Sequence, residues 1–237
     1  MQLIVTQAQS DAARQAAHQL VQRVYAREFN VDLNQLREKA TVSFRSVVLL
    51  IHDKRQELVG TASILYPTDT LLFPSEYMFG ADIRQCSPEL PLGNMVEVGR
   101  LAKAEVDDKG LIVQATMLAV EAYLHRKKLA GWIATVKPRM KRMLGITGLV
   151  MQDFTQSQRD TDFDDFPKLL DGYKGKDIAS FWTSTDSTRQ AFRNLHCLLE
   201  QGIIQIDLDN APKQKIAYPS NFWGLSTHRR LPNFRSR

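Results

Sequence analysis

Cysteine is scarce in this chain, and long apolar runs are missing from it. Its 237 residues include two cysteines, Cys86 and Cys197, which lack the Cys-x-x-Cys spacing of zinc and redox motifs. We therefore expect reduced thiols, with neither a disulfide framework nor a zinc site. No apolar stretch approaches the length of about eighteen residues that a membrane span needs. The apolar start of the chain is also too short for a signal peptide, so we predict a cytoplasmic protein.

Metal-ligand spacing, internal repeats and nucleic-acid-binding motifs are absent from the sequence as well. The five histidines form no ligand pattern, so we expect no metal site. Hydrophobic residues make up 43% of the chain and charged residues 24%, as in an ordinary globular protein. The net charge of +5 favours an anionic partner. Basic residues are not interleaved with aromatic ones as in single-strand binders, so we expect no nucleic-acid partner.

Hydrophobic periodicity and turn residues predict a mixed succession of strands and helices. The predicted strands cover residues 2–6, 46–51, 57–65, 95–102, 132–136, 178–184 and 203–208. Helices are predicted at about 11–29, 111–128 and 188–199, with short ones after Phe73 and from Pro138. This order fits an α+β fold with a mixed, mostly antiparallel sheet and helices on both of its faces.

The composition of the chain changes after residue 153. Seven aspartates lie between Asp153 and Asp177, in a stretch broken by proline and glycine that is typical of a linker or a long surface loop. We therefore predict a core of residues 1–154 and a C-terminal extension of residues 155–237, which in one interpretation completes the sheet. The basic residues 227–237 are predicted to form a flexible terminus, with contact to a membrane surface as the alternative.

Two charged residues interrupt the apolar strand at 95–102. Glu97 lies between Val96 and Val98, where burial would raise its pKa and make it a general base; a salt bridge to a neighbouring strand is the alternative. Arg100 would face the opposite side of a regular strand, but Gly99 permits a bulge that puts both charges on one face. Arg100 would then bind an acceptor carboxylate or hold Glu97, unless it belongs to a buried structural ion pair.

The segment after this strand is a glycine-marked turn that leads into a long helix. Residues 103–110 precede the helix predicted from Leu111, whose first backbone N–H groups lack partners within the helix. Such groups can hold a phosphate or a thioester carbonyl. The turn is therefore a candidate site for chemistry.

Four landmarks of the sequence, taken in order, resemble one family of folds. They are Val24-Tyr25 with Phe29, the segment 59–65 with Pro67-Thr68, Phe73-Pro74 with Phe79, and the Glu-x-x-Arg strand at 96–102. Together they resemble the GNAT acyltransferase fold. Within it, the chain is most similar to acyl-carrier-protein-dependent N-acyltransferases, namely the acyl-homoserine lactone synthases and the long-chain N-acyl amino acid synthases. The resemblance covers roughly residues 1–154.

This resemblance implies transfer of an acyl group from a thioester to an amine, with Glu97 and Arg100 as catalytic residues. It also implies no tightly bound cofactor and a donor, acyl-phosphopantetheine on acyl carrier protein or acyl coenzyme A, held by Leu101, Ala102, Lys103, Lys109 and Gly110. Many GNAT enzymes protonate the leaving thiolate with a tyrosine after the fifth strand. Residues 139–145 contain none, so the leaving-group acid is unassigned.

Two departures from the family pattern refine the choice of donor and acceptor. The Arg/Gln-x-x-Gly-x-Gly/Ala loop of coenzyme A-dependent members is absent, and Asp107 and Asp108 would repel a nucleotide diphosphate, which favours acyl carrier protein. Ser63 stands where homoserine lactone synthases carry arginine, which favours an amino acid or similar small amine over S-adenosylmethionine. The alternatives are a coenzyme A-dependent acetyltransferase and a GNAT-fold protein that binds a partner without turnover.

A run of basic residues without acidic neighbours lies between Ala122 and Gln152. Acyl carrier proteins are acidic, so a basic patch beside the pantetheine entrance would attract one. The alternative is an ordinary solvated helix surface. The residues predicted to form the docking patch are Arg126, Lys127, Lys128, Lys137, Arg139, Lys141 and Arg142.

Overall fold

An eight-stranded sheet is the centre of the computed structural model, which describes residues 1–29, 32–34, 42–106, 108, 110–155 and 178–209. In spatial order the strands are β6, β7, β5, β4, β3, β2, β1 and β8. Their bounds are β1 (Leu3–Gln7), β2 (Ser46–Asp53), β3 (Leu58–Leu65), β4 (Met95–Lys103), β5 (Gly131–Val136), β6 (Gln152–Asp153), β7 (Ala179–Ser184) and β8 (Ile204–Asp207).

The sheet is mixed and mostly antiparallel. Only the neighbours β4–β5 and β1–β8 run parallel, and the other adjacent strands described by the structure pair in antiparallel fashion. The β4–β5 pair is parallel because the long helix between these two strands carries the chain back across the sheet. The predicted α+β class is therefore confirmed.

Helices cover both faces of the sheet. Alternate residues of β2 show this directly: Leu49 and Ile51 belong to the core cluster under the long helix α4, whereas Val48 and Leu50 pack with Ala17 of α1. The helices are α1 (Asp11–Phe29), α2 (Pro74–Phe79), α3 (Ile83–Cys86), α4 (Leu111–Lys127), α5 (Pro138–Ile146), α6 (Thr185–Phe192) and α7 (His196–Glu200), with 3₁₀ turns at Leu92–Asn94 and Arg193–Leu195.

Most predicted elements appear within a residue or two of their expected bounds, with one clear correction. The helix predicted at 188–199 is in fact two helices, α6 and α7, separated by a 3₁₀ turn. It also begins earlier, because the Ser184 hydroxyl accepts a hydrogen bond from the backbone N–H of Ser187 at 3.1 Å and so caps α6. Most of the irregular helix or loop predicted at 30–45 lies outside the described residues.

The described residues after 177 belong to the same sheet as the preceding ones. Strand β7 lies between β5 and β6, and β8 pairs with β1. Strands β5 and β7 approach so closely at Gly131 that a Cβ there would lie 2.3 Å from the carbonyl oxygen of Thr183, so glycine is required. The division at residue 154 stays a prediction, and the predicted linker at 156–177 and tail at 227–237 lie outside the described residues. Among the residues that the structure describes, no helix is long and apolar enough to cross a membrane.

Candidate functional site

Strands β4 and β5 pair over a short stretch and then separate. Their register runs from Met95 opposite Gly131 to Glu97 opposite Ile133 and stops there. Beyond that point β4 continues to Lys103 along β3, and β5 continues to Val136 along β7. Because this pairing stops while both strands continue, we infer an opening between their C-terminal halves, bordered by main-chain N–H and C=O groups.

A bulge in β4 lies directly beside this opening. Arg100 and Leu101 stand between the paired positions Gly99 and Ala102, whereas β3 has only Ala62 in the corresponding place. Arg100 takes the left-handed conformation, with φ of 53°, so the irregular residue is the arginine itself and not the glycine before it. The bulge reverses the alternation along β4, which places Ala102 against α1.

Glu97 is buried at the last paired position of β4, only 4% exposed. Its Oε2 accepts a hydrogen bond from the backbone N–H of Ser75 at 2.8 Å, and no basic side chain of the described residues lies within 4 Å. Burial raises the pKa of Glu97 to about 8, despite hydrogen bonds from Ser75 and the opposing charge of Arg100, while Glu76 adds to the increase. The salt bridge to a neighbouring strand is therefore not found. Arg100 is exposed, so it is not a buried structural arginine.

The start of α2 positions Ser75 over Glu97. Pro74 occupies the first turn, and the Glu76 carboxylate accepts the backbone N–H of Phe73 at 2.9 Å, which fixes the entry into the helix. The backbone N–H of Ser75 is one of the groups at a helix start that have no partner within the helix. The carboxyl of Glu97 accepts a hydrogen bond from it. The sequence predicted this short helix, but nothing in it connected the helix to Glu97.

A row of hydroxyl groups extends from Ser75 across the next two strands. The Oγ atom of Ser75 lies 2.7 Å from Thr135 Oγ1 on β5, and Thr135 Oγ1 lies 2.7 Å from Ser180 Oγ on β7. Ser75 and Ser180 are buried, and Thr135 is half-buried. Sequence reasoning missed these residues, because serine and threonine spread over more than a hundred positions give no local signal.

The loop after β4 places a carboxylate at the start of α4. Asp108 accepts the backbone N–H of Ile112 at 3.0 Å and the ammonium of Lys103 at 2.6 Å. Burial alone would raise the pKa of Asp108, but the contacts from Lys103, Ile112 and Gly110 together hold it below its usual value. Gly110 precedes the helix with φ of 84°, a conformation that glycine adopts without strain. Asp107 and Lys109 lie outside the described residues.

The residues predicted to bind the donor therefore have different environments. Leu101 is half-buried in the bulge, and Ala102 is buried against α1. The Lys103 side chain is engaged by Asp108, so it is not available as an independent phosphate ligand. Main-chain groups of this segment are therefore the candidate contacts for a donor.

The seven predicted docking residues fall into two groups at opposite ends of β5. Arg126, Lys127 and Lys128 end α4 before β5, whereas the others lie at the start of α5 or within it, after β5. A strand of this length separates the groups by roughly 20 Å. The structure therefore does not bring all seven residues together, because the strand connecting the two groups crosses the sheet. The residues of the second group, here called the α5 basic group, are Lys137, Arg139, Lys141 and Arg142.

The fold also supplies acidic partners that the sequence run lacks. Arg126 pairs with Asp209, and Lys141 pairs with Asp153. Lys137 lies 3.7 Å from Glu28 of α1. Among the described residues, Arg139 and Arg142 have no acidic partner within 4 Å, and both are exposed. They are the most available positive charges near the opening.

A shallow apolar groove of about 160 Å³ lies beside the α5 basic group, between α4, α5 and α6. Its lining includes Val113, Met117 and Phe192. Met143 borders it, and Ile146, one turn further along α5, is 87% exposed. The described residues bring together no cluster of three or more His, Cys, Asp or Glu side chains that could hold a metal ion.

Solved structures with the same fold are similar to this chain at low sequence identity. FeeM, an N-acyl amino acid synthase from uncultured soil microbes, is 14% identical, with a TM-score of 0.54 over 80% of this chain and 94% of that one. BjaI, a coenzyme A-dependent acyl-homoserine lactone synthase with SAM and isopentyl-CoA, is 15% identical, with a TM-score of 0.56 over 89% and 95% of the two chains.

A third similar structure is TofI in a ternary complex with an inhibitor and MTA. It is 18% identical, with a TM-score of 0.50 over 81% of this chain and 97% of that one. No protein-family model matches the sequence, and no curated protein matches it. The GNAT fold is thus confirmed, with the architecture shared by N-acyl amino acid synthases and acyl-homoserine lactone synthases.

Proposed function

We propose that this protein is an N-acyltransferase that moves a fatty acyl group from an acyl carrier protein thioester to the amine of an amino acid or a similar small acceptor. The observation that carries the proposal is the position of Glu97. A buried carboxyl with a raised pKa lies where β4 and β5 separate, beside the opening that the fold offers to an extended ligand.

Amide formation from a thioester needs a base, a hold on the oxyanion and a path for the leaving thiolate. Glu97 would take a proton from the acceptor ammonium, which then attacks the thioester carbonyl. The main chain around Leu101, Ala102 and Lys103 would hold the pantetheine arm, and the bulge frees backbone groups there to meet the oxyanion. Lys109 and Gly110 complete this predicted donor contact. Arg100 would bind the acceptor's carboxylate or stabilise the ionised form of Glu97.

The state of the α4 N-terminus supports a carrier-protein donor. Coenzyme A carries a diphosphate that needs free N–H groups at such a helix start. Here Asp108 already accepts the N–H of Ile112 and places negative charge at that point. A carrier-bound phosphopantetheine lacks the nucleotide end and has only one phosphodiester, so it needs this helix start less. BjaI, which shares the fold, is described as coenzyme A-dependent, so the fold leaves both donors possible.

The α5 basic group is the proposed contact for the carrier protein. It follows β5 and therefore lies at the edge of the sheet where the opening is. Arg139 and Arg142 are exposed there, and Met143 and Ile146 add apolar surface on the same side of the helix, at i, i+3, i+4 and i+7. We assign Arg126, Lys127 and Lys128 no role in docking at this edge, since they lie at the other end of β5.

The acceptor is proposed to be a small amine with a carboxylate. Arg100 supplies a positive charge near Glu97, and the buried Ser63 pairs with Gly99 from strand β3, which itself contains no arginine. FeeM is described as an N-acyl amino acid synthase, which agrees with this choice. A membrane contact is proposed only through the basic residues 227–237, and a cytoplasmic location stays a prediction.

The deciding experiment presents purified protein with acyl carrier protein loaded with acyl chains of several lengths, together with a mixture of amino acids and amines. Mass spectrometry then identifies the product, and matched acyl coenzyme A donors are run in parallel. We expect N-acyl products and thiol release mainly with the carrier protein. Preference for acetyl coenzyme A would identify an ordinary acetyltransferase. Carrier-protein binding without thiol release from any donor would identify a binding protein.

A further inference from the structure

We propose that the hydroxyls of Ser75 and Thr135 form a proton relay between Glu97 and the opening between β4 and β5, with Ser180 as the residue that positions Thr135. The inference deepens the proposed function and rests on it. It assigns the leaving-group acid, for which α5 offers no tyrosine between residues 139 and 145.

Contacts through Ser75 connect Glu97 of β4 with hydroxyls on β5 and β7. Ser75 donates its backbone N–H to the Glu97 carboxyl at 2.8 Å, and its hydroxyl acts on the same carboxyl to lower the pKa of Glu97. The Ser75 hydroxyl lies 2.7 Å from that of Thr135, and Thr135 lies 2.7 Å from Ser180, its partner in the β5–β7 register. These distances are typical of good hydroxyl hydrogen bonds.

The exposure of the three hydroxyl residues shows where a proton could leave the row of hydroxyls. Ser75 is 0% exposed and Ser180 is 1% exposed, so neither meets solvent. Thr135 is half-buried and lies two residues beyond Ile133, the last residue of β5 that pairs with β4. Of these three residues, only Thr135 can therefore pass a proton out of the row of hydroxyls. It does so at the opening where the thioester sulfur is proposed to bind.

The direction of the hydrogen bonds depends on the charge of Glu97. An ionised carboxylate only accepts, so the Ser75 hydroxyl donates to it, Thr135 donates to Ser75, and Ser180 donates to Thr135. A protonated Glu97 can donate instead, which allows Ser75 to donate to Thr135 and Thr135 to donate outward. Among the described residues, the other charged groups that act on Glu97 are Glu76 of α2 and Arg100 of β4, and neither is part of the row of hydroxyls.

The proposed step balances in atoms and charge. The acceptor ammonium loses one proton to Glu97, its nitrogen bonds to the thioester carbon, and the C–S bond breaks with its electron pair left on sulfur. The O–H bond of Glu97 then breaks as Ser75 gains a proton, Ser75 passes its own proton to Thr135, and Thr135 passes its own to the thiolate. The second proton of the amine goes to water, and both hydroxyls end as they began.

The activity test compares Thr135→Val, which keeps the shape of the side chain, with Thr135→Ser, which restores a hydroxyl. In single turnovers with acyl carrier protein, we expect Val to slow the transfer by roughly 10² or more, the lower end of the range for acid–base groups, and steady-state assays should show little change in KM. We expect Ser to recover most of the rate and the solvent deuterium isotope effect. Thr116→Val is the matched control, because the buried Thr116 hydroxyl bonds only its own helix, at Ile112 O.

A second measurement needs no turnover. Infrared titration measures the carboxyl band of Glu97, which is identified by its loss in Glu97→Gln. The titration is run on the parent, Ser75→Ala, Thr135→Val and Thr116→Val. We expect Ser75→Ala to move the midpoint to higher pH, because it removes a donor to the ionised form, while Thr116→Val leaves it in place. An unchanged midpoint in Ser75→Ala overturns the relay even if the protein proves inactive. Full transfer rate in Thr135→Val overturns it while leaving the proposed function intact.

Discussion

The carboxylate of Asp108 accepts a hydrogen bond from the backbone N–H of Ile112 at 3.0 Å and so occupies the N-terminus of α4. This helix start follows the strand of the candidate base, where the fold would otherwise offer N–H groups to a phosphate. The ammonium of Lys103, 2.6 Å from the same carboxylate, balances its charge. The loop thus gives this N–H group an anionic partner from within the protein.

Replacing Asp108 by Asn should improve the reaction with acyl coenzyme A relative to acyl carrier protein, because it removes the negative charge from the helix start. We expect the kcat/KM ratio of the two donors to shift by several-fold. Lys103→Met is the matched control: it breaks the same ion pair but keeps the carboxylate, so it should not favour coenzyme A. An equal shift in both variants would contradict the assignment to charge.

The same Asp108→Asn change should lower the free energy of unfolding by up to about 1 kcal/mol, because it removes the negative charge at the helix N-terminus and its ion pair with Lys103, although the amide oxygen can still accept the N–H of Ile112. Because the pKa of Asp108 is held below its ordinary value in the folded protein, its stabilising contribution is present above about pH 4 and is lost as the pH falls through the folded-state pKa. Urea unfolding at pH 7 and pH 3 checks this. We expect the difference between parent and variant to shrink at pH 3.

Glu97→Gln should keep the fold and slow acyl transfer by about 10² to 10⁴, the range typical of losing a general base. Glutamine retains the volume of the side chain and can still accept the N–H of Ser75. Single-turnover rates with acyl carrier protein measure the effect, with the exposed Glu89→Gln as control. Near-parental rates in Glu97→Gln would leave Glu97 only its structural bond to α2.

The parent's stability should depend on pH through Glu97. Its pKa is raised to about 8 in the folded protein, so between roughly pH 4.5 and pH 8 the folded state holds a proton that the unfolded state has lost. The corresponding stability is present below this window and is lost as pH rises through it, by on the order of a few kcal/mol. Glu97→Gln should therefore gain stability relative to the parent between pH 6 and pH 9. If the difference in unfolding free energy between Glu97→Gln and the parent were the same at pH 6 and pH 9, the raised pKa would be contradicted.

The pH dependence of kcat/KM should report the same group, and Arg100 should tune it. A base with a pKa of about 8 is mostly protonated at pH 7, so the rate should rise with pH and level off above about 9. Arg100 lowers the pKa of Glu97, so Arg100→Met should move the midpoint to higher pH. Arg84→Met, which removes an arginine that pairs with Glu76, serves as control. A midpoint that stays fixed in Arg100→Met would remove the electrostatic role of Arg100.

The sequence predicted the fold because its local patterns are strong. The hairpin of β2 and β3, the long helix α4 and the Glu-x-x-Arg strand all follow from short-range periodicity, and the bulge was suggested by Gly99. The neighbours of Glu97 were not predictable in this way. Ser75, Thr135 and Ser180 meet through α2 and the β5–β7 register, and such long-range pairing leaves no trace in sequence spacing.

The same limitation explains why the residues predicted to form the docking patch lie in two separate groups. A run of basic residues without acids appeared continuous along the chain, but β5 carries it from one end of the sheet to the other. Acidic partners then arrive from distant elements: Asp209 follows β8, and Glu28 belongs to α1. Charge patterns along a sequence predict a surface only when no strand or helix interrupts them.

This division yields a matched test of carrier-protein docking. Arg139→Glu with Arg142→Glu reverses two charges at the edge of the sheet with the opening, and Lys127→Glu with Lys128→Glu reverses two at the other end of β5. Because both double variants change the net charge equally, long-range attraction is weakened alike. We expect only the first pair to reduce the association rate by about tenfold or more and to flatten its dependence on salt. Stopped-flow association with acyl carrier protein at several salt concentrations measures this, and equal losses in both variants would assign the attraction to net charge alone.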